Sequence, residues 1–190
     1  MKEQKAVEQK FVNGVNVTNL FGTIDAITGE PKIAKFNFRA KNKWINGANN
    51  RTTINEFDGA CETHRRETPF VFEKDEPPVL LGKDIGANPV EYALAALAGC
   101  VTTGLVYHAA ARGIELDEVE SAYEGDIDLR GFLGMADEVR NGFEGITITF
   151  KIKSDAPREQ IEELVKIAQE RSPVFDIVTN PVPVTVRLEE

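Results

Sequence analysis

The stretch NPVEYALAALAGCVTTGLVYHAAARG, residues 88–113, decides the fold. Asn88 is a good helix N-cap, Pro89 suits the first helical position, Glu91 stands three residues after the cap, and Gly113 can end the helix in a left-handed conformation. A helix from about Pro89 to Arg112 would run roughly 36 Å at about 1.5 Å per residue. Its middle is nearly free of charge, so it must be covered on several sides. One sheet covers one side, which predicts a second helix or a second subunit on the rest.

The cover is read from alternation with period two, the mark of a strand with one buried face. In residues 34–41, Phe36, Phe38 and Ala40 share one face and Lys35, Asn37, Arg39 and Lys41 the other, with Trp44 near the following turn. In residues 146–153, Ile146, Ile148, Phe150 and Ile152 alternate with Thr147, Thr149, Lys151 and Lys153. Near the C-terminus Val182, Val184, Val186 and Leu188 alternate with Pro183, Thr185, Arg187 and Glu189, and Pro183 points to an edge strand. A second helix is predicted from Ser154 or Asp155 to about Arg171, with Ile161, Leu164, Val165 and Ala168 on one face. Without repeats or a linker, the economical reading is one α+β domain over residues 1–190, with 1–34 an N-terminal extension of open role.

Composition narrows the function classes. The chain has 190 residues, 42% hydrophobic and 28% charged, an ordinary globular balance that supports a core without disulfides. Its 31 acidic against 22 basic residues give a net charge of -9, which argues against nucleic acid or an anionic membrane as partner. The charged start MKEQKAVEQK lacks the apolar core of a signal peptide, and no segment is read as a membrane span, so a cytoplasmic location is expected.

Two cysteines, Cys61 and Cys100, do not make a disulfide framework. Cys100 sits in the middle of the long helix, where it is either a small buried hydrophobe or a reactive thiol. Cys61 and His64 have a possible ligand spacing, but with only two histidines nothing completes a zinc site, so no metal is expected. No cofactor is expected either. His108, about 12 Å along the helix from Cys100, reads as a core or interface histidine, and Arg65–Arg66 as a solvated basic pair. The run GDIDLRGFLG, residues 125–134, has acidic residues that would repel phosphate, and its glycines read as turn glycines.

The stretch DEPPVLLGKDIGANPVEYALAALAGC, residues 75–100, followed by VYHAAARGI and later by SPVFDIVTNPVPVTV, resembles the OsmC and organic hydroperoxide resistance family, from about Lys35 onward. The resemblance implies curved antiparallel sheets wrapped around the long helix in an intertwined homodimer. It also implies that Cys100 is a peroxidatic thiolate attacking a small apolar alkyl or lipid hydroperoxide, with an arginine stabilising the charge. Arg51, in WINGANNRTTI, is the best match for that arginine, in a turn after the first core strand, and a solvated turn arginine is the competing reading.

Glu91 matches, one position out of register, a family glutamate that positions the arginine, with plain capping as the alternative. Nine residues along a helix is about 13.5 Å and half a revolution, which rules out direct contact of Glu91 with Cys100 within the helix. Ser172 stands where many members carry a resolving cysteine. The chain is then a one-cysteine peroxidase reduced by an external thiol or dithiol, or Cys61 resolves, or peroxidase activity is lost and an apolar-ligand binding module or thiol redox sensor remains. Cys61 otherwise reads as a strand cysteine.

Overall fold

The computed structural model describes residues 8–189; residues 1–7 of the expected N-terminal extension and Glu190 lie outside them. The elements form two compact units, one of residues up to Lys10 and Asn16–Ala93, the other of Phe11–Val15 and Leu94 onward. A short hairpin pairs β1 (Phe11–Val12) with β2 (Val15–Asn16).

In the first unit, α1 (Val17–Gly29) is capped by Asn16, whose side chain accepts the Asn19 amide at 3.0 Å. Only Val17 of this helix is buried. A 3₁₀ turn over Pro31–Ala34 leads to β3 (Asn37–Phe38), β4 (Lys41–Asn46), β5 (Asn49–Gly59) and β6 (Glu62–Lys74). β5 is the centre of this antiparallel sheet. β4 and β3 pair with successive halves of one of its edges and β6 with the other, with a bulge between Ile54 and Glu56.

Of the strand expected over 34–41, only Asn37–Phe38 and Lys41 are strand; Ala34 ends the 3₁₀ turn and the remaining residues are irregular. Phe36 and Phe38 do share a face, stacking at 5.9 Å between ring centres, and Phe36 packs against Gly59, where a Cβ would lie 2.2 Å from its ring. The β5–β6 hairpin turns through Ala60 and Cys61, both left-handed at φ 51° and 65°, the conformation of a two-residue type I′ turn. Cys61 is thus an exposed turn residue and not a strand cysteine. The alternation rule missed it because nothing in Ala-Cys announces positive φ, which usually falls to Gly or Asn.

The second unit is built on α2 (Pro89–Ala111) from Leu94 onward, the predicted long helix, which ends at Gly113 with φ 70°. Leu97, Val101, Leu105 and Ala109 recur every four residues and are buried, forming one ridge. β7 (Glu118–Asp126) and β8 (Gly145–Lys153) form a two-stranded antiparallel sheet. Val119 and Tyr123 of β7 and Ile146, Ile148, Phe150 and Ile152 of β8 pack on that ridge, as the alternation of β8 predicts. Ala168 of α4 (Arg158–Arg171) joins the ridge, its backbone beside Gly104, where a Cβ would stand in ordinary contact at 3.7 Å from the Ala168 carbonyl oxygen. Val174 and Phe175 of α5 (Pro173–Thr179) complete the core.

Three sequence expectations change. The run 125–134 contains a short helix, α3 (Leu129–Phe132), capped by Asp128, with Gly131 pressed on the Arg140 carbonyl where a Cβ would come to 2.5 Å. Residues 181–189 form no strand, and Val184, Val186 and Leu188 are 80%, 89% and 98% exposed. Finally, Pro89–Arg112 is long and apolar enough to cross a membrane by length and composition. The reading that no segment approaches that length is corrected: its Leu, Val and Ala residues carry the hydropathy, and no Asp, Glu, Lys or Arg lies between Glu91 and Arg112. In this fold that helix supplies the core ridge of the second unit.

Candidate functional site

Cys100 stands on α2 one residue before Val101 and three after Leu97, both buried in the ridge, whereas Gly99 and Thr103 beside it are exposed. The thiol is half-buried, at the border between the packed ridge and the open flank of the helix. A Cβ at Gly99 would meet nothing within 4 Å, so the approach beside Cys100 is clear. This setting differs from that of a fully buried packing cysteine.

Ser172, also in the second unit, is 2% exposed and serves as the N-cap of α5, its hydroxyl accepting the Phe175 amide at 3.1 Å. A hydroxyl here has a structural use and cannot form a disulfide. His108 lies half-buried near the end of α2, with Arg112 Nη1 3.5 Å from its Nδ1. Burial pushes its pKa below the ordinary histidine value, and the charges of Arg112 and Arg171 push the same way.

Arg51 belongs to the first unit, on strand β5 and not in a turn; the turn falls earlier, where Trp44 Nε1 donates to the Gly47 carbonyl at 2.9 Å. Cross-strand from Arg51 is Glu73 of β6, and the guanidinium Nε donates to its carboxylate. That bond holds the Glu73 carboxyl below the usual carboxylate range, helped by Asn49, whose Nδ2 donates to it at 3.3 Å. The Glu73 carbonyl accepts the Tyr92 hydroxyl at 2.8 Å. Gly86 sits close against the same carbonyl, where a Cβ would come to 2.3 Å. Tyr92 is further held edge-on to Phe72, with Lys74 Nζ 5.7 Å above its ring.

Glu91 takes the place its spacing predicts. Its carboxylate accepts the Asn88 amide at 2.8 Å while the Asn88 side chain accepts the Val90 amide at 2.8 Å, the reciprocal pair of a capping box. Within the first unit Arg51 and Glu91 therefore have different partners, and the carboxylate on Arg51 is Glu73. The loop leading to this cap is organised by Asp75, 2% exposed, whose carboxylate accepts the amides of Glu76, Lys83 and Ile85. These backbone bonds hold its pKa low against the opposing effect of burial.

Sequence reasoning missed Glu73, Tyr92 and Asn49. Glu73 is 22 residues from Arg51, so only the hairpin register brings them together. Cys61 and His64 do not converge on a metal site: His64 stacks on Phe57 at 4.8 Å, and among the described residues no group of three or more His, Cys, Asp or Glu side chains gathers. Arg65 pairs with Glu56, and Arg66 lies 5.3 and 5.0 Å above the rings of Phe57 and Phe70.

No curated protein matches the sequence. Among solved structures, an OsmC-like protein from Mycoplasma pneumoniae superposes with a TM-score of 0.57 at 17% identity, covering 76% of this chain and 88% of that one. An organic hydroperoxide resistance protein OsmC from Legionella pneumophila gives 0.52 at 19%, covering 75% and 90%. An OsmC-like protein from Vibrio cholerae gives 0.51 at 12%, covering 73% and 91%. These likenesses show a shared α+β fold. The family profile of OsmC-like proteins matches residues 82–187, more than half of the chain and the part that carries Glu91, Cys100 and Ser172. The chain belongs to the OsmC-like family.

Proposed function

We propose that the chain is a thiol-dependent peroxidase reducing organic hydroperoxides at Cys100. The observation that carries this reading is the half-buried Cys100 at the edge of an apolar ridge, inside the family-matched segment. The Cys100 thiolate attacks the terminal oxygen of an alkyl or lipid hydroperoxide. The O–O bond breaks, the departing alkoxide takes a proton and leaves as an alcohol, and Cys100 becomes a sulfenic acid. An external thiol then condenses with the sulfenic acid, releasing water and leaving a mixed disulfide. A second thiol attacks that disulfide and restores Cys100. The chemistry needs no cofactor or metal.

Arg51 is the proposed electrostatic partner, supplying the cation that favours the thiolate and the developing alkoxide. Glu73 would orient it, and Glu91 would fix the start of the helix that carries Cys100. Ser172 cannot resolve the sulfenic acid, which favours direct reduction by an external thiol or dithiol; the exposed turn thiol Cys61 is the alternative resolver. The protein would work as a homodimer. Only 28% of the most apolar stretch of Pro89–Arg112 is buried within one chain, and a second copy is the proposed cover. Two unpaired cysteines and a thiol reductant suit the reducing cytoplasm.

The test is consumption of cumene hydroperoxide by the purified protein with a dithiol and, separately, with a monothiol. Turnover lost in Cys100→Ser is expected, and no turnover with either reductant would overturn the reading. The buried capping role of Ser172 favours one rival, a non-catalytic module holding an apolar ligand. Native mass spectrometry showing a co-purified fatty ligand, together with absent turnover, would select it.

A further inference from the structure

Asn49, 8% exposed, opens β5 and has no part in the chemistry proposed at Cys100. In a strand residues 49 and 51 point to the same face. Arg51 pairs directly with Glu73 of β6, so Asn49 is the diagonal neighbour of Glu73 on that face. Its Nδ2 donates to Glu73 Oε2 at 3.3 Å and to the Lys74 carbonyl at 3.1 Å. Arg51 Nε donates to the other oxygen, Oε1. The Glu73 carboxylate is therefore held at both oxygens by two different neighbours, and turning it about its terminal bond would break one of them. The nearby ammonium of Lys74 is engaged elsewhere, with the Thr52 hydroxyl and above the Tyr92 ring.

The clamp decides which edge of the guanidinium is used. A carboxylate free to turn takes a guanidinium by two parallel bonds, a fork that engages both of its oxygens. Here Asn49 fixes the turn of the carboxylate, and Arg51 meets it through Nε alone. Among the described residues the two Nη groups of Arg51 make no hydrogen bond, and the side chain is half-exposed. Those groups carry four of the five guanidinium N–H donors.

We infer that Asn49 is a positioning residue for the proposed peroxidase: by holding Glu73 Oε2 it keeps Arg51 bound by its Nε edge and leaves both Nη groups free for the oxygens of a hydroperoxide. This rests on the peroxidase reading and on Arg51 as the cation, and adds how that cation is aimed. Without Asn49 the carboxylate turns to form the fork, which draws an Nη group away from the reacting oxygens.

Rapid-quench intact-mass kinetics of Cys100 oxidation by cumene hydroperoxide test it in the parent, Asn49→Ala, Arg51→Gln and the double variant, beside thermal melts. Asn49→Ala is expected to slow oxidation roughly 10-fold, the scale of a small misplacement of a positioned group. The double variant should be no slower than Arg51→Gln, because Asn49 acts only through that cation. Side-chain nitrogen NMR of the parent gives a measurement that needs no variant to fold: the Arg51 Nε proton should be protected from exchange and its Nη protons should exchange freely. Equal protection of the Nη protons would show the fork and overturn the inference. A fast parent with Asn49→Ala equally fast, or with losses that add in the double variant, would overturn it and leave the peroxidase reading standing. A parent whose Cys100 reacts no faster than a free thiol would overturn that reading and the inference with it.

Discussion

Arg51 and Glu73 face each other across the β5–β6 pair, and the guanidinium Nε of Arg51 donates directly to the Glu73 carboxylate. The cation proposed to assist Cys100 is thus held by a strand register and by its own carboxylate, with Tyr92 from the first turn of α2 bonded to the Glu73 carbonyl. Turn loops wander more than paired strands, so this placement gives the guanidinium a fixed origin.

Loss of this cation should appear in the chemistry more than in the fold. Arg51→Gln is expected to slow oxidation of Cys100 by hydroperoxide by about 10²-fold, with a small change in melting temperature because the pair is exposed. Stopped-flow oxidation measured beside thermal melts checks it, and equal rates in both proteins would remove Arg51 from the mechanism.

Glu73 makes the pair sensitive to acid. Its folded pKa lies below the ordinary glutamate value, so the stabilisation it gives is present above the unfolded value of about 4.3 and lost as pH falls through the folded one. The melting temperature of Glu73→Gln should therefore fall less steeply than that of the parent below about pH 4.3. Parallel acid limbs would contradict the assignment.

The capping box separates two roles for Glu91. Glu91→Ala should cost about 0.5–2 kcal/mol, and Glu91→Gln should recover most of it because an amide oxygen accepts the Asn88 amide equally well. Denaturant melts measure the loss. If the Gln variant melts like the parent yet oxidises more slowly, the carboxylate charge acts on the chemistry as well.

The ridge on α2 supplies the stability of the second unit. Leu105 is fully buried between the β7–β8 sheet and α4, so Leu105→Ala should cost about 2–5 kcal/mol and Leu105→Met less than about 1.5 kcal/mol. A loss under about 1 kcal/mol for Ala would mean that this ridge is not the core.

His108 introduces a second pH dependence. Its folded pKa is depressed by burial and by two arginines, so the unfolded chain binds the extra proton first as pH drops. Stability is then whole above about pH 6.5 and declines as pH falls from there toward the folded value. His108→Gln should flatten that part of the curve, and an unchanged slope there would exclude His108 as its source.

The parts legible in the sequence are those whose determinants are local. Asn88, Glu91 and Gly113 bracket α2 correctly, and the alternation of Ile146, Ile148, Phe150 and Ile152 gives β8 and its buried face. The resemblance puts Arg51 in a turn after the first core strand, and no local spacing in WINGANNRTTI corrects that. The chain instead reverses within two residues and continues as β5. The Cys61 turn was hidden because its left-handed residues are Ala and Cys. The Arg51–Glu73 pair depends on a long hairpin register, which no spacing rule reaches. Residues 181–189 carry a strand pattern without a strand, since alternation specifies a face and only a neighbouring edge can supply the bonds.

The most direct measurement is the intact mass of reduced protein titrated with cumene hydroperoxide, for the parent, Cys100→Ser and Cys61→Ser. The account predicts rapid addition of one oxygen in the parent and in Cys61→Ser, and none at that rate in Cys100→Ser. Oxidation of Cys100 no faster than that of a free thiol in solution would contradict it.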